Sequence, residues 1–281
     1  MQERILTVEM ISECAIHLTS EEKSPLTIEK YIRDMKSFQA YLNGRSVTKE
    51  IAIEYKQQLL SENYAIRSIN SMLASLNSMF AFLGWYDCKV KAMKVQQQIF
   101  CPEEKELTRS EYMRLVNTAK QQGNKRLNLI LQTICCTGIR VGELKFITAE
   151  AAKSGRAIVR CKSKCRTVFI VKELQKQLLS YAKKLGITGG PIFVTRTKKP
   201  VSRTNIWREM KNLCEQANVN PNKVFPHNLR HLFARVFYGL EKDIAKLADI
   251  LGHSSINTTR IYIISTGDEH RQRMENMRLI I

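Results

Sequence analysis

Apolar side chains recur at helical spacing through the first hundred residues of the chain. A stripe over residues 5–18 opens the series, and a second run begins at Ser24-Pro25 and ends at Gly44. Serine and proline are typical of a helix cap and first turn. Two further runs cover residues 48–60, for which Thr48 is the predicted cap, and residues 65–83. These amphipathic segments predict a bundle of helices over residues 1–95.

The last of these segments has a polar face with almost no charge, formed by Arg67, Ser68, Asn70, Ser71, Ser75 and Asn77. Such a face is either solvated or lies in a DNA groove, where amides and hydroxyls bind phosphates and base edges. We expect Arg67, Asn70 and Ser71 to bind DNA, and simple solvent exposure is the open alternative.

Helical periodicity fails over residues 96–107, which we interpret as a linker between two domains. The second domain, residues 108–281, begins with a capping box at Thr108 and Glu111, and its second helix ends at Gly138. Short β runs are predicted at residues 157–161, 167–171 and 192–194, the first two joined by the basic turn Lys162-Ser163-Lys164. The predicted fold is therefore mainly α with a small β-sheet.

Positive charge is concentrated in the second domain. Residues 1–100 hold 12 Lys and Arg against 11 Asp and Glu, whereas residues 101–281 hold 33 against 15, which gives net charges of +1 and +18. A concentration of this size indicates a polyanionic partner. Nucleic acid is favoured over an anionic membrane, because no lipid-facing helix accompanies the charge. In addition, no apolar run approaches the roughly 20 residues that span a bilayer.

The eight cysteines predict neither a zinc site nor a disulfide framework. Residues 1–4 lack the pattern of a signal peptide, so we expect reduced thiols and a cytoplasmic protein. Cys161 and Cys165 flank the basic turn with no second Cys or His pair at ligand spacing, and Cys135-Cys136 lies in an apolar helix. No metal is expected.

A small group of polar residues stands out as able to act on a phosphodiester: Arg140, His227, Arg230, His253 and Tyr262. Guanidinium groups suit the charge that grows on phosphate oxygens in the transition state. His227 can accept a proton near neutral pH, and an N–H of His253 can donate to phosphate. His227 and Arg230 lie three residues apart and so share a helix face, whereas His231 is expected on another face as a packed or solvated side chain. Taken singly, each residue also has a structural interpretation as a cap, an ion-pair member, or a core side chain.

The order and spacing of these residues resemble the tyrosine recombinase family, which includes phage integrases and Xer recombinases. The matching positions are Arg140, His227-x-x-Arg230, Leu251-Gly252-His253 and Tyr262. The resemblance covers the chain from Leu107 onward, and the first domain resembles the family's core-binding domain. It implies that the arginines and histidines surround a scissile phosphate which Tyr262 attacks, with Glu143 as a supporting residue.

The family also implies a lysine in the hairpin turn that protonates the leaving 5′ oxygen. This chain offers Arg160-Cys161-Lys162-Ser163-Lys164-Cys165-Arg166, which is shorter than the family pattern and lacks its glycines. Lys162 fits best, and Lys164 stays open. Lys164 and Arg166 are otherwise expected to contact DNA phosphates.

The resemblance implies a site-specific recombinase that forms a 3′-phosphotyrosyl intermediate, with His227 as the base. No cofactor is expected, because the bond energy is kept in the covalent link. Expected partners are double-stranded DNA, further copies of the chain in a tetramer of two paired dimers, and accessory DNA-bending or directionality proteins. Integration, excision, inversion and dimer resolution stay open as outcomes.

A second capping box at Thr266 and Glu269 predicts a helix that runs toward Leu279. Its apolar side chains either dock on their own domain or, as the resemblance implies, reach a neighbouring protomer.

Two other functions fit parts of this pattern. A type IB topoisomerase uses similar residues to relax DNA, but the small first domain and short C-terminal tail favour a recombinase. A DNA-binding regulator would keep the fold without cleaving DNA. Such a protein is expected to lack at least one of the six chemical positions, and all are present here.

Overall fold

The computed structural model describes residues 3–95, 105–161 and 164–263, together with 271 and 274–277. The chain divides into two compact units, Met1–Gln97 and Gln98–Ile281. Among the described helices, none combines the length and the apolar character that a bilayer crossing requires.

The first unit is a helical bundle, as predicted. Its helices are α1 (Val8–Ser20), α2 (Pro25–Leu42), α3 (Lys49–Ser61) and α4 (Ile66–Phe82). The predicted caps form, since the Ser24 hydroxyl accepts the Thr27 N–H and the Thr48 hydroxyl accepts the Ile51 N–H. The core centres on Phe38, whose ring is fully buried.

The polar face of α4 is used partly inside this unit. The Asn77 side chain exchanges two hydrogen bonds with the backbone of Val90, at 2.9 and 2.8 Å. Asn70 does the same with Met93, at 2.8 and 2.9 Å. These amides pair with the backbone of an extended segment much as a neighbouring strand would, so they hold the segment against the helix.

The predicted DNA contacts on α4 therefore differ in their surroundings. Arg67 and Ser71 are exposed, and they stay predicted contacts. Asn70 has a structural use that the helical periodicity did not indicate. Ser75 is buried and donates to Asp34 at 2.8 Å, which explains its place among apolar neighbours.

The second unit is mainly helical around a short antiparallel hairpin. Its helices are α5 (Arg109–Gln121), α6 (Lys125–Thr137), α7 (Ala149–Ser154), α8 (Lys172–Lys184), α9 (Arg203–Leu213), α10 (Pro226–Glu241), α11 (Ile244–Leu251) and α12 (Ile256–Arg260). Helix α6 lies in the middle of the core, where it packs against α5, α8, α9 and α10. The capping box at Thr108 and Glu111 forms as predicted.

The hairpin consists of β1 (Arg156–Cys161) and β2 (Lys164–Phe169), and pairs Cys161 with Lys164. The second strand was predicted to begin at Thr167, so that prediction was wrong by three residues. Pairing with β1 draws Lys164 and Cys165 into the ladder despite their turn-like sequence. The connecting residues 162 and 163 lie outside the described residues.

The predicted strand at 192–194 was also wrong. Isolated bridges form instead, between Thr148 and Pro191 and between Val194 and Pro200. Prolines have no N–H to donate, so neither bridge extends into a regular ladder.

Most of the predicted C-terminal helix cannot be compared with the structure, because residues 264–270, 272–273 and 278–281 lie outside the described part. Within that part, Arg271 and residues 274–276 are helical, and Met274 and Met277 are exposed.

Gly138 ends α6 in the left-handed conformation, at a φ of +64°. A Cβ there would lie 2.5 Å from Cδ1 of Phe233 and 3.0 Å from Cδ2 of Leu251. We expect Gly138→Ala to lower the free energy of unfolding by about 2–4 kcal/mol, because backbone strain and overpacking combine.

Gly123→Ala is the matched control. Gly123 has a similar φ of +69° with nothing within 4 Å of the new Cβ, so a loss of about 1 kcal/mol is expected. Urea denaturation of both variants measures the difference. Equal losses in the free energy of unfolding would show that the Phe233 side chain moves aside without cost.

Candidate active site

The site is built around Arg230, whose side chain is one of the largest fully buried ones in the described protein, at 1% exposure. Its Nη1 donates to the carbonyl of Gly138, and Nη2 donates to the carbonyl of Leu251 at 2.7 Å. Both carbonyls lie at helix C-termini, the ends of α6 and α11, where free carbonyls and the helix dipole favour a cation. Among the described residues, Nε of Arg230 has no hydrogen-bond partner.

Burial, together with the charge of nearby Arg140, lowers the pKa of Arg230 to about 10. The guanidinium is still charged at neutral pH. It is thus a desolvated cation held by neutral carbonyls.

Arg140 lies two residues after Gly138, at the start of a short 3₁₀ turn over Val141–Phe146. Glu143 fixes it from both ends. One carboxylate oxygen accepts the Arg140 backbone N–H at 3.0 Å, and the other accepts Nη1 at 3.0 Å. The Arg140 side chain keeps 43% of its surface exposed, so the guanidinium is oriented and still accessible to an anion.

Arg166 was predicted to contact DNA, but its guanidinium lies inside the site. It donates to both oxygens of Glu143, at 2.8 and 3.3 Å, and through Nε to the carbonyl of Ile250 at 3.3 Å. Arg166 pairs with Val159 in the hairpin, on the face turned toward the core, which brings the side chain inward. Its observed role is to hold Glu143, and through Glu143 the orientation of Arg140.

His253 lies one residue after Gly252, which ends α11. Its Nε2 is 3.0 Å from Nη2 of Arg230. Arginine can only donate, so Nε2 accepts this hydrogen bond. The sequence suggested that His253 donates an N–H to phosphate, whereas in this state the nitrogen that faces the site is an acceptor.

Tyr262 is buried, at 6% exposure, in a turn that follows α12. Its ring centroid is 5.2 Å from that of His227 and 5.1 Å from that of His253. The Cζ atom of Arg230 is 5.9 Å from the same centroid. The structure therefore brings together the predicted histidines, Arg230 and the tyrosine, with Arg140 beside them near Gly252 at 3.5 Å.

His231 also belongs to this group, although the sequence reading placed it on another helix face. Its ring stacks on Tyr262 with centroids 4.2 Å apart, and meets His227 edge-on at 4.8 Å. The spacing of four residues from His227 was the available signal, because such a pair shares a helix face.

The histidines are held neutral at physiological pH. Burial lowers the pKa of His231 to about 4, with His227 and Arg230 adding to the effect. Burial and the charges of Arg230, Arg140 and Arg166 lower the pKa of His253 to about 4. Partial burial and the charges of Arg230 and Arg140 lower the pKa of His227. A neutral imidazole next to Tyr262 can accept a proton.

The predicted general acid is the part of the site that the structure does not show. Lys162 and the Lys164 side chain lie outside the described residues. Lys164 is the first residue of β2, so only residues 162 and 163 connect the strands. In the described ranges, no group of three His, Cys, Asp or Glu side chains gathers as metal ligands.

Comparisons with known proteins place the chain in a family. Residues 105–268 match the phage integrase family, and residues 13–86 match the phage integrase N-terminal SAM-like domain. The chain belongs to the phage integrase family, the tyrosine recombinases, and its enzyme class is site-specific recombinase.

Relatives match along nearly the whole chain. Tyrosine recombinase XerA of Pyrococcus furiosus is 28% identical, over 100% of this chain and 98% of the relative. XerD of Halalkalibacterium halodurans is 27% identical, over 84% and 86%.

Solved structures agree with this likeness. The crystal structure of XerA recombinase covers 97% of this chain and 99% of its own, with 25% identity and a TM-score of 0.55. The structure of XerH bound to palindromic difH covers 98% and 90%, with a TM-score of 0.74; at 16% identity this likeness supports the fold alone.

The free energy of unfolding should decrease as the pH drops below about 6.5. In this range the histidines bind protons in the unfolded chain but stay neutral in the folded protein, because their folded pKa values are lower. For His231 the folded pKa is about 4, so its contribution is present above pH 6.5 and lost toward pH 4. We expect His231→Gln to remove about 1–2 kcal/mol of the decline between pH 7 and pH 5. Urea unfolding at both pH values measures this, and an unchanged decline would mean that His231 is charged in the folded protein.

Proposed function

We propose that this protein cuts and rejoins DNA strands at specific sites through a 3′-phosphotyrosyl intermediate on Tyr262. The observation that carries the proposal is the position of the Tyr262 ring, packed among three neutral histidines and within 5.9 Å of a desolvated arginine. The phenol of Tyr262 is thus next to imidazoles that can accept a proton and to a cation that can bind a phosphate.

The proposed step begins with a phosphodiester bound between Arg140 and Arg230. The Tyr262 hydroxyl oxygen attacks phosphorus, the bond to the 5′ oxygen breaks, and His227 accepts the phenolic proton. His227 is the proposed base because it is exposed, whereas His231 is stacked flat on the tyrosine ring. The arginines stabilise the charge that develops on the phosphate oxygens.

A lysine of the hairpin turn, Lys162 in this proposal, gives a proton to the departing 5′ oxygen. A 5′ hydroxyl from a partner strand then attacks the phosphotyrosine and releases Tyr262. The energy of the broken phosphodiester is kept in the covalent intermediate, so the exchange requires no input from a nucleotide cofactor.

The proposed substrate is double-stranded DNA, held by a second domain of net charge +18. Among the similar structures, XerH is bound to difH substrate and a lambda integrase tetramer is bound to a Holliday junction. By analogy we propose that copies of this chain assemble on DNA as a tetramer of two paired dimers. Accessory DNA-bending or directionality proteins stay candidate partners.

Tyr262→Phe should abolish the covalent adduct with DNA while DNA affinity changes by less than about two-fold. The ring still packs on His231, and only the nucleophilic oxygen is lost. The measurement is incubation with a nicked suicide duplex followed by a denaturing gel.

Tyr238→Phe, on α10 of the same unit, is the control and should form the adduct normally. An adduct that persists in the Tyr262 variant would refute the proposed nucleophile. Wild-type protein that binds DNA without any adduct would favour a non-cleaving regulator.

Lys162→Ala should slow cleavage of normal DNA by about 100-fold or more, since general acids contribute at this level. A substrate with sulfur in place of the leaving 5′ oxygen should restore near wild-type cleavage, because a thiolate departs without a proton. Lys164→Ala is the matched variant. Sulfur rescue of Lys164→Ala in place of Lys162→Ala would assign the acid to Lys164.

A further inference from the structure

Thr259 lies between two members of the proposed catalytic group. It is completely buried in α12. Its Oγ1 is 2.9 Å from Nδ1 of His253, and its carbonyl accepts the backbone N–H of Tyr262 at 2.9 Å. One residue thus contacts the histidine with its side chain and the nucleophile with its main chain.

The hydrogen bonds on either side of His253 determine where the imidazole proton lies. Nη2 of Arg230 is a donor, so Nε2 of His253 must be the acceptor, 3.0 Å away. A neutral imidazole has one N–H, which is then on Nδ1 and points at the Thr259 oxygen. Thr259 therefore accepts the hydrogen bond and completes a chain from Arg230 through His253 to α12.

We propose that Thr259 is a positioning residue, which holds His253 in the Nδ1–H tautomer so that Nε2 supports Arg230. This inference rests on the proposed function. Rotation of the His253 ring would turn a carbon atom toward Arg230. A proton on Nε2 of His253 would place two hydrogen-bond donors, Nε2–H and Nη2–H of Arg230, next to each other. Either change would leave a buried Arg230 N–H without an acceptor, which is costly in a desolvated site.

The role differs from that of a helix cap, because the Thr259 hydroxyl bonds to an imidazole that packs against the nucleophile. The rings of His253 and Tyr262 are 5.1 Å apart. Through its two contacts Thr259 ties the orientation of His253 to the position of Tyr262.

The test compares Thr259→Val, which keeps the shape and removes the acceptor, with Thr259→Ser, which keeps the hydroxyl. Thr258→Val changes the exposed neighbour and controls for the loss of a β-branched hydroxyl in this helix. Single-turnover cleavage of a suicide duplex should slow by about ten-fold in Thr259→Val, the rate equivalent of one lost hydrogen bond. Thr259→Ser and Thr258→Val should stay within about three-fold of wild type.

A double-mutant cycle separates positioning of His253 from simple support of the tyrosine turn. In a His253→Ala background, Thr259→Val should have almost no further effect, because the histidine through which it acts is gone. Losses that multiply in the double variant would overturn the proposal and assign Thr259 to the turn alone.

The tautomer itself can be measured without DNA or cleavage. Long-range ¹H–¹⁵N correlation spectra of ring-labelled protein distinguish a proton on Nδ1 from one on Nε2. The proposal expects Nδ1–H for His253 in the wild type and in Thr259→Ser, and a proton on Nε2 in the wild type would overturn it. This measurement does not depend on catalysis. Absence of an adduct in the wild type refutes the proposed function, whereas the position of the His253 proton tests the present proposal separately. If Thr259→Val does not fold, the wild-type spectrum still tests the tautomer.

Discussion

The site depends on a buried cation that is held by the ends of two helices. Arg230 donates to Gly138 and Leu251, the residues at which α6 and α11 stop. A buried guanidinium without such partners would be strongly unfavourable, so the stopping points of these helices are fixed by electrostatics as well as by local sequence. Arg140 and His253 come two and one residues after the terminal glycines. The same helix ends that stabilise Arg230 therefore also position Arg140 and His253, the other groups proposed to contact phosphate.

Burial and excess positive charge together set the protonation of the site. Arg140 and Arg166 share the carboxylate of Glu143, while Arg230 is neutralised only by dipoles among its described contacts. The remaining positive potential, together with burial, keeps the surrounding histidines neutral. In the proposed function, a bound phosphate would supply the anion that balances this charge.

Sequence reasoning recovered what depends on local chemistry. The helix caps Ser24 and Thr48 were predicted correctly, and so was the helix that carries His227 and Arg230 three residues apart. In each case the sequence signal and the structure lie within one helical turn. The inward turn of Arg166 and the clamp made by Asn70 could not be predicted this way. Each depends on a partner more than twenty residues away, Glu143 in one case and Met93 in the other.

Tyr262, the proposed nucleophile, belongs to a small apolar cluster that is distinct from the main core of its unit. Tyr262 packs with Ala234, Leu247 and Leu251, whereas Leu229 and Leu232 of the same α10 face the main core. Arg230 lies between the two sets and bonds to one helix end in each. A displacement of α11 and α12 would carry the Leu251 carbonyl, His253 and Tyr262 together, away from Gly138 and Arg140. The position of Tyr262, the proposed nucleophile, is consequently coupled to the hydrogen bonds that hold Arg230, the arginine proposed to bind phosphate.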